Sequence, residues 1–114
     1  QFLGETLKQI EEMPENTFDE IVEKYVEMNI AHPFMEGNGR STRIWLDLIM
    51  KKRLNNCIDW SKISKTDYMN AMIKSAVNSS TLKELLKNAI TDQINSREMF
   101  MRGIDYSYYY EEND

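Results

Sequence analysis

Apolar residues recur at helical spacing along almost the whole chain, and this pattern limits the fold more than any other feature of the sequence. Between residues 17 and 31 the apolar positions follow the three- and four-residue steps of one helix face: Phe18, Ile21, Val22, Tyr25, Val26 and Ile30. The alternation of β-branched residues that is typical of strands is nearly absent. The spacing therefore predicts an all-α fold.

Capping residues, glycines and prolines divide this pattern into short helices. The predicted start signals are Thr17 with Glu20, Ser64 with Asp67, and Thr81 with Glu84. Pro14 is predicted to end the first helix, and a longer helix is predicted to run from Asn38 or Gly39 through Leu54. Gly103 is a candidate helix C-cap ahead of the tail.

Length and charge exclude several classes of protein. The 114 residues are enough for one domain, and the formal net charge of −5 argues against general affinity for nucleic acid or an anionic membrane. No apolar run approaches bilayer length. The single cysteine, Cys57, permits no internal disulfide and is expected to be a half-buried small apolar residue, which suits a cytoplasmic protein.

One segment, residues 29–45 (NIAHPFMEGNGRSTRIW), interrupts the helical pattern. Gly37 and Gly39 allow backbone N–H groups to face a ligand, and the helix that follows presents its positive end there. Arg40 and Arg43 lie on the same face of that helix. Two arginines at a helix N-terminus are unfavourable unless an anion binds, so the segment predicts a polyphosphate site.

The same segment holds a carboxylate and the chain's only histidine. Glu36 beside a phosphate requires a cation between them, and Mg²⁺ commonly binds one carboxylate together with phosphate oxygens. His32 has a pKa suited to taking a proton from an incoming hydroxyl. Each residue alone has an ordinary structural explanation, but together they predict transfer of a phosphorus-centred group to a hydroxyl.

These residues resemble the signature of Fic-domain proteins, H-P-F-x-[D/E]-G-N-G-R-x-x-R, which "HPFMEGNGRSTR" matches at every specified position. The resemblance implies a Fic-fold helical bundle whose upstream flap hairpin is truncated or missing from this chain. It also implies a protein adenylyltransferase that moves AMP from ATP to a serine, threonine or tyrosine hydroxyl, with Mg²⁺.

The resemblance assigns a role to each matching residue. His32 would be the general base, Glu36 would hold Mg²⁺, and Arg43 would bind the γ-phosphate end. The phosphate cradle would consist of Gly37, Asn38, Gly39 and Arg40. A relative that phosphorylates its target carries Lys at the position of Gly39, so the glycine favours AMP transfer.

The tail resembles the inhibitory helix of some Fic proteins, [S/T]-x-x-x-E-[G/N]. "SYYYEE" fits its first five positions and departs at the sixth, where Glu112 stands. Glu111 would then pair with Arg43 and block ATP, and Ser107 would hydrogen-bond near the loop. Self-modification at Tyr108, which would push this helix away, is a further hypothesis. The chain thus divides into a Fic core, residues 1–102, and an inhibitory helix and tail, residues 103–114.

Other functions remain open at this level. A Fic-type site can transfer a phosphoryl, UMP or phosphocholine group instead, and a catalytically silent binding module is the alternative outside the enzymes. The resemblance further implies a toxin-like cytoplasmic protein, a target such as a type II topoisomerase subunit, and homo-oligomers that bury the inhibitory helix. Neither direct nucleic-acid binding nor membrane association is expected.

Overall fold

The computed structural model describes residues 2–31 and 38–111, with side chains described for residues 5–31 and 39–111. Six α-helices, two very short strands and one 3₁₀ turn lie in these ranges. In chain order they are α1 (Phe2–Glu11), α2 (Phe18–Ala31), α3 (Asn38–Leu54), β1 (Cys57–Ile58), the 3₁₀ turn (Trp60–Lys62), α4 (Lys65–Ser75), α5 (Ser80–Lys87), β2 (Ile90–Thr91) and α6 (Arg97–Glu111). The prediction of an all-α fold is confirmed.

Two of the predicted helix starts have the expected hydrogen bonds. Before α2, the Thr17 amide donates to Glu20 Oε1 at 3.0 Å and the Glu20 amide donates to Thr17 Oγ1 at 3.2 Å, which completes a capping box. Before α4, Ser64 Oγ accepts from the Asp67 amide at 3.1 Å. Helix α3 also starts at Asn38, within the predicted range. These starts are set by local sequence.

Two other helix ends were predicted wrongly. Helix α5 follows Ser79, which makes no side-chain capping bond, so Thr81 lies inside the first turn and does not cap it. Gly103 lies in the middle of α6 and is not a C-cap. A Cβ at Gly103 would lie 3.7 Å from Trp60 Cδ1, an ordinary contact, so this glycine neither ends the helix nor is required for its packing.

The core lies between the helices and around the 3₁₀ turn. Helix α2 packs on α3, α4 packs on α5, and α6 packs on α3 and on the 3₁₀ turn. Fully buried side chains in this core include Ile21, Val22, Tyr25, Leu46, Met50, Leu82 and Leu86. Strand β1 pairs with β2 in antiparallel register, and this ladder connects the chain after α3 to the chain before α6.

Helix α6 is joined to the core near its C-terminal end. The Tyr110 ring is 1% exposed, and its hydroxyl proton is shared between the carbonyl oxygens of Trp60, at 2.8 Å, and Ile63, at 2.7 Å. Because Tyr110 lies in the last turn of α6, these bonds fix that turn to the 3₁₀ turn and to the residue that follows it. The division predicted between residues 102 and 103 falls inside this continuous helix, and it stays a prediction.

Candidate active site

The described part of the site begins at the first turn of α3. His32, Glu36 and Gly37 lie outside the described residues, as does the side chain of Asn38, so their predicted roles stay predictions. Thr42 Oγ1 lies 3.1 Å from Asn29 Oδ1 and 3.1 Å from the Gly39 carbonyl oxygen. This buried threonine therefore ties the first turn of α3 to the last turns of α2, on either side of the signature loop.

Arg43 is buried, at 3% exposure, and its guanidinium faces the last two turns of α6. Nε donates to Ser107 Oγ at 3.1 Å, and Nη2 donates to the Ser107 carbonyl oxygen at 3.0 Å. Nη2 also donates to Glu111 Oε1 at 2.8 Å, which makes an ion pair with a glutamate side chain that is 38% exposed. The structure thus brings together the arginine, serine and glutamate that the resemblance singled out.

Two stacked tyrosine rings lie beside the same guanidinium. The rings of Tyr68 and Tyr110 are 4.7 Å apart, and Arg43 Cζ lies 5.4 Å and 5.2 Å from their respective centroids. The Tyr68 hydroxyl accepts from Arg43 Nη1 at 3.3 Å. Burial opposes the charged form of Arg43, but its interactions with Tyr68, Tyr25 and Glu111 outweigh burial and raise its pKa. The arginine therefore stays charged in this buried position.

Gly39 leaves the space in which the Glu111 carboxylate lies. A Cβ on Gly39 would be 2.3 Å from Glu111 Oε1 and 3.0 Å from Arg43 Nη1. The first distance is far below any normal contact, so even an alanine would force the carboxylate to move. The anionic group is thus held in a gap between the backbone of the first turn of α3 and a buried arginine.

Arg40 also contacts α6. Its Cζ lies 4.7 Å from the centroid of the Tyr108 ring, which is 57% exposed. The neighbouring Tyr109, at 40% exposure, has its ring 5.9 Å from Lys65 Nζ, and Tyr110 is buried. The three adjacent tyrosines thus point in different directions. Tyr108 is the one that lies against a cation of the predicted phosphate site.

A cavity of about 310 Å³ lies between α3 and α6 on the side of Arg40. Its lining includes Ile44, Asp47, Phe100 and Tyr108. Sequence reasoning missed Asp47, whose carboxylate accepts from the Ile58 amide and from Trp60 Nε1, each at 2.9 Å. Its position four residues after Arg43, on the same helix face, was the signal that could have identified it.

Burial raises the pKa of Asp47 to about 6 from 3.8, despite its two hydrogen bonds and the nearby Lys51. The folded state binds the proton of the Asp47 carboxyl group more tightly than the unfolded state does. The contribution of this group to stability is therefore fully present below pH 4 and is lost as the pH rises through 6. We expect the free energy of unfolding, relative to Asp47→Asn, to fall by up to about 3 kcal/mol between pH 4 and pH 7.

Urea unfolding of both proteins at pH 4, 5, 6 and 7 measures this difference. Asparagine is a matched replacement because it has a similar shape but does not titrate, so every other carboxyl group cancels in the comparison. A difference between the two proteins that stays constant with pH would show that Asp47 does not titrate in this range.

Cys57 lacks the exposure and the lowered thiol pKa that are typical of a nucleophilic cysteine. It is buried, and burial together with Asp47 raises its thiol pKa to about 11. Within residues 2–31 and 38–111 there is no group of three or more histidine, cysteine, aspartate or glutamate side chains that could hold a metal ion. Glu36, the predicted Mg²⁺ ligand, lies outside those ranges. None of the described helices is long and apolar enough to cross a membrane.

Comparison with known proteins agrees with the signature. The model of the Fic/DOC family matches residues 1–50, which contain all twelve signature positions. Over 83 residues, covering 69% of the chain, the sequence is 32% identical to a Bartonella schoenbuchensis (strain DSM 13525 / NCTC 13165 / R1) protein named Protein adenylyltransferase VbhT. The aligned part is 17% of that relative, so the chain spans about one sixth of its length. Residues 1–50 of the chain thus belong to the Fic/DOC family.

Proposed function

We propose that this chain is the catalytic part of an ATP-dependent protein adenylyltransferase that its own C-terminal helix inhibits. The observation that carries the proposal is the ion pair between Arg43 and Glu111, at 2.8 Å, in the gap beside Gly39. Among the described residues, this buried arginine near the start of α3 has one ion-pair partner, a partly exposed carboxylate, so it is an anion site that is already filled.

The Glu111 carboxylate occupies the place that a phosphate group would take. Carboxylate and phosphate oxygens accept hydrogen bonds from a guanidinium with similar geometry, so they compete for the same donors. The helix N-terminus adds further attraction for an anion, and Gly39 leaves room for one. ATP would have to displace Glu111 before its γ-phosphate could reach Arg43.

The remaining roles follow from the family signature. His32 takes the proton from the target hydroxyl, whose oxygen then forms a bond to the α-phosphorus of ATP. The bond from that phosphorus to the bridging oxygen of the β-phosphate breaks, and pyrophosphate leaves. Glu36 would hold the Mg²⁺ that balances the phosphate charge, while the backbone of residues 37–40 cradles the phosphates. The products are an AMP-bearing target, pyrophosphate and a proton.

AMP is favoured over other groups by two observations. The relative that the chain matches is named an adenylyltransferase. In addition, Gly39 stands where a phosphorylating member of the family carries Lys, and any Cβ at this position would collide with Glu111 as it lies here. Transfer of a phosphoryl, UMP or phosphocholine group is the alternative chemistry, and a silent binding module is the alternative outside catalysis.

The setting of the reaction is part of the proposal. The acidic net charge of −5 favours a protein target over nucleic acid or an anionic membrane surface. The family resemblance suggests a toxin-like protein of the cytoplasm, with a target such as a type II topoisomerase subunit. It also suggests homo-oligomers in which the inhibitory helix is covered.

Tyr108 is the proposed site of self-modification. Its ring is exposed and lies against Arg40, close to the phosphate site, so its hydroxyl is near the chemistry. AMP attached there would add a bulky anion beside Arg40 and would disturb the contact between α6 and α3. Peptide mass spectrometry of active protein that finds no AMP on Tyr108 would remove this hypothesis.

Label transfer tests the proposed function. The chain and its Glu111→Gly variant would be incubated with Mg²⁺, a cell lysate as the source of target, and ATP labelled at the α- or the γ-phosphate. We expect protein to be labelled only from the α-phosphate. A double variant that carries both Glu111→Gly and His32→Ala should transfer no label. Label from the γ-phosphate would make the protein a kinase. No label from either position, in a folded Glu111→Gly variant, would favour the binding module.

A further inference from the structure

We infer that Tyr68, supported by Tyr25, is a positioning residue that fixes Arg43 for phosphate binding once Glu111 has left. This inference rests on the proposed function, because it concerns how the same arginine is presented to ATP. Tyr68 lies on α4, far in sequence from the Fic signature and outside the inhibitory helix. No motif in the sequence marks it.

The hydrogen bonds of Arg43 divide between two elements. Three of those that the structure describes go to α6, to Ser107 Oγ, the Ser107 carbonyl oxygen and Glu111 Oε1. The fourth goes from Nη1 to the Tyr68 hydroxyl at 3.3 Å. When ATP displaces Glu111, the ion pair is lost, and any shift of the last turns of α6 also acts on the two Ser107 bonds, whereas the bond to Tyr68 depends on α4. Tyr68 is therefore the partner that can hold the guanidinium in both states.

The direction of hydrogen bonding makes Tyr68 a defined acceptor. A guanidinium can only donate, so the Tyr68 oxygen accepts from Arg43 and its own proton must point elsewhere. The hydroxyl of Tyr25 lies 2.5 Å away and shares a hydrogen bond with the Tyr68 hydroxyl. Tyr25 is fully buried, and burial raises its pKa well above 10, so it remains a neutral hydroxyl. The pair of hydroxyls thus orients one lone pair of Tyr68 toward Arg43.

A general packing role for Tyr68 would have a different effect. Its ring is 2% exposed and stacks on Tyr110. Truncation to alanine would therefore disrupt the core and could not separate a packing role from a positioning role. Phenylalanine retains the ring and removes only the oxygen that accepts from Arg43. A residue that matters only for packing would tolerate this change without altering the affinity for ATP, while a positioning residue would not.

The test uses the Glu111→Gly chain, in which the anion site is open. Binding of Mg²⁺·ATP would be measured by calorimetry, and KM and kcat for label transfer would be measured in parallel. We expect Tyr68→Phe in this background to weaken ATP binding and raise KM by about 5-fold or more, with a smaller change in kcat. Tyr25→Phe should have a weaker effect, since the Tyr68 oxygen remains.

Tyr110→Phe is the matched control. Tyr110 is equally buried, and its ring lies at a similar distance from the same guanidinium, but its hydroxyl bonds the carbonyl oxygens of Trp60 and Ile63. Its loss should lower stability and should weaken ATP binding less than Tyr68→Phe does, because the ring beside Arg43 remains and no bond to the guanidinium is lost. Equal ATP affinity in Glu111→Gly with and without Tyr68→Phe, or an equal loss in Tyr110→Phe, overturns the inference. Failure of Glu111→Gly itself to bind ATP would instead remove the proposed function, and this inference with it.

Discussion

Glu111→Gly is expected to raise the rate of AMP transfer by about 10- to 100-fold. A hydrogen bond between charged groups contributes about 1.5–3 kcal/mol, and each 1.4 kcal/mol corresponds to a factor of ten. Glu111 makes such a bond with Arg43 at 2.8 Å, and under the proposed function ATP would have to break it to bind. Removing the carboxylate removes that competition. It also leaves the bonds from Arg43 to Ser107 and to the Tyr68 hydroxyl in place, so the arginine keeps its position.

Glu98→Gly is the matched control for this experiment. Glu98 lies in the first turn of α6, is largely exposed, and pairs with Arg102 at 3.0 Å on the same helix. Both variants replace a glutamate by glycine near a helix end, where the cost to the helix is modest. We expect Glu98→Gly to leave the rate unchanged. Equal activation of both variants would indicate general loosening of α6, and no activation of folded Glu111→Gly would contradict autoinhibition.

Local sequence predicted those parts of the fold whose hydrogen bonds close within a few residues. The capping box at Thr17 and Glu20 and the serine cap before α4 involve neighbours three residues apart, so their pattern is visible in the sequence. The predicted start of α5 was wrong because several polar residues that could cap a helix are adjacent there. The observed N-cap, Ser79, makes no side-chain hydrogen bond. Where candidate caps are adjacent, tertiary packing decides among them.

The sequence predicted the charged and hydroxyl groups of the site but not the tyrosines that surround them. The spacing of the signature identified Arg43, and the tail pattern identified Ser107 and Glu111, which the structure places in contact with it. The tyrosines around Arg43 come from α4 and α6, and their meeting depends on the packing of the whole bundle. Gly103 misled the prediction of the last helix. The helix continues because residues beyond this glycine bind the core, a stabilisation that local propensity does not include.

Tyr110→Ala is expected to destabilise the chain by about 3–5 kcal/mol, the range observed when a large buried aromatic side chain is truncated. The ring packs edge-on against Trp60 at 5.9 Å and stacks on Tyr68, so its removal leaves a cavity in the core. Two buried carbonyl oxygens, of Trp60 and Ile63, also lose their shared donor. Since a domain of this size has only about 5–15 kcal/mol of stability, the effect should be large.

Tyr109→Ala provides the comparison, because Tyr109 is the adjacent residue and is 40% exposed. We expect it to cost less than about 1 kcal/mol in urea unfolding followed by circular dichroism. Similar small losses in both variants would show that residues 103–114 can detach from a folded core, as the predicted division of the chain implies. The expected large difference would mean that the inhibitory segment is also part of the core. Activation would then have to act on Glu111 and the last turn of α6, because shedding the helix would unfold the protein that carries the site.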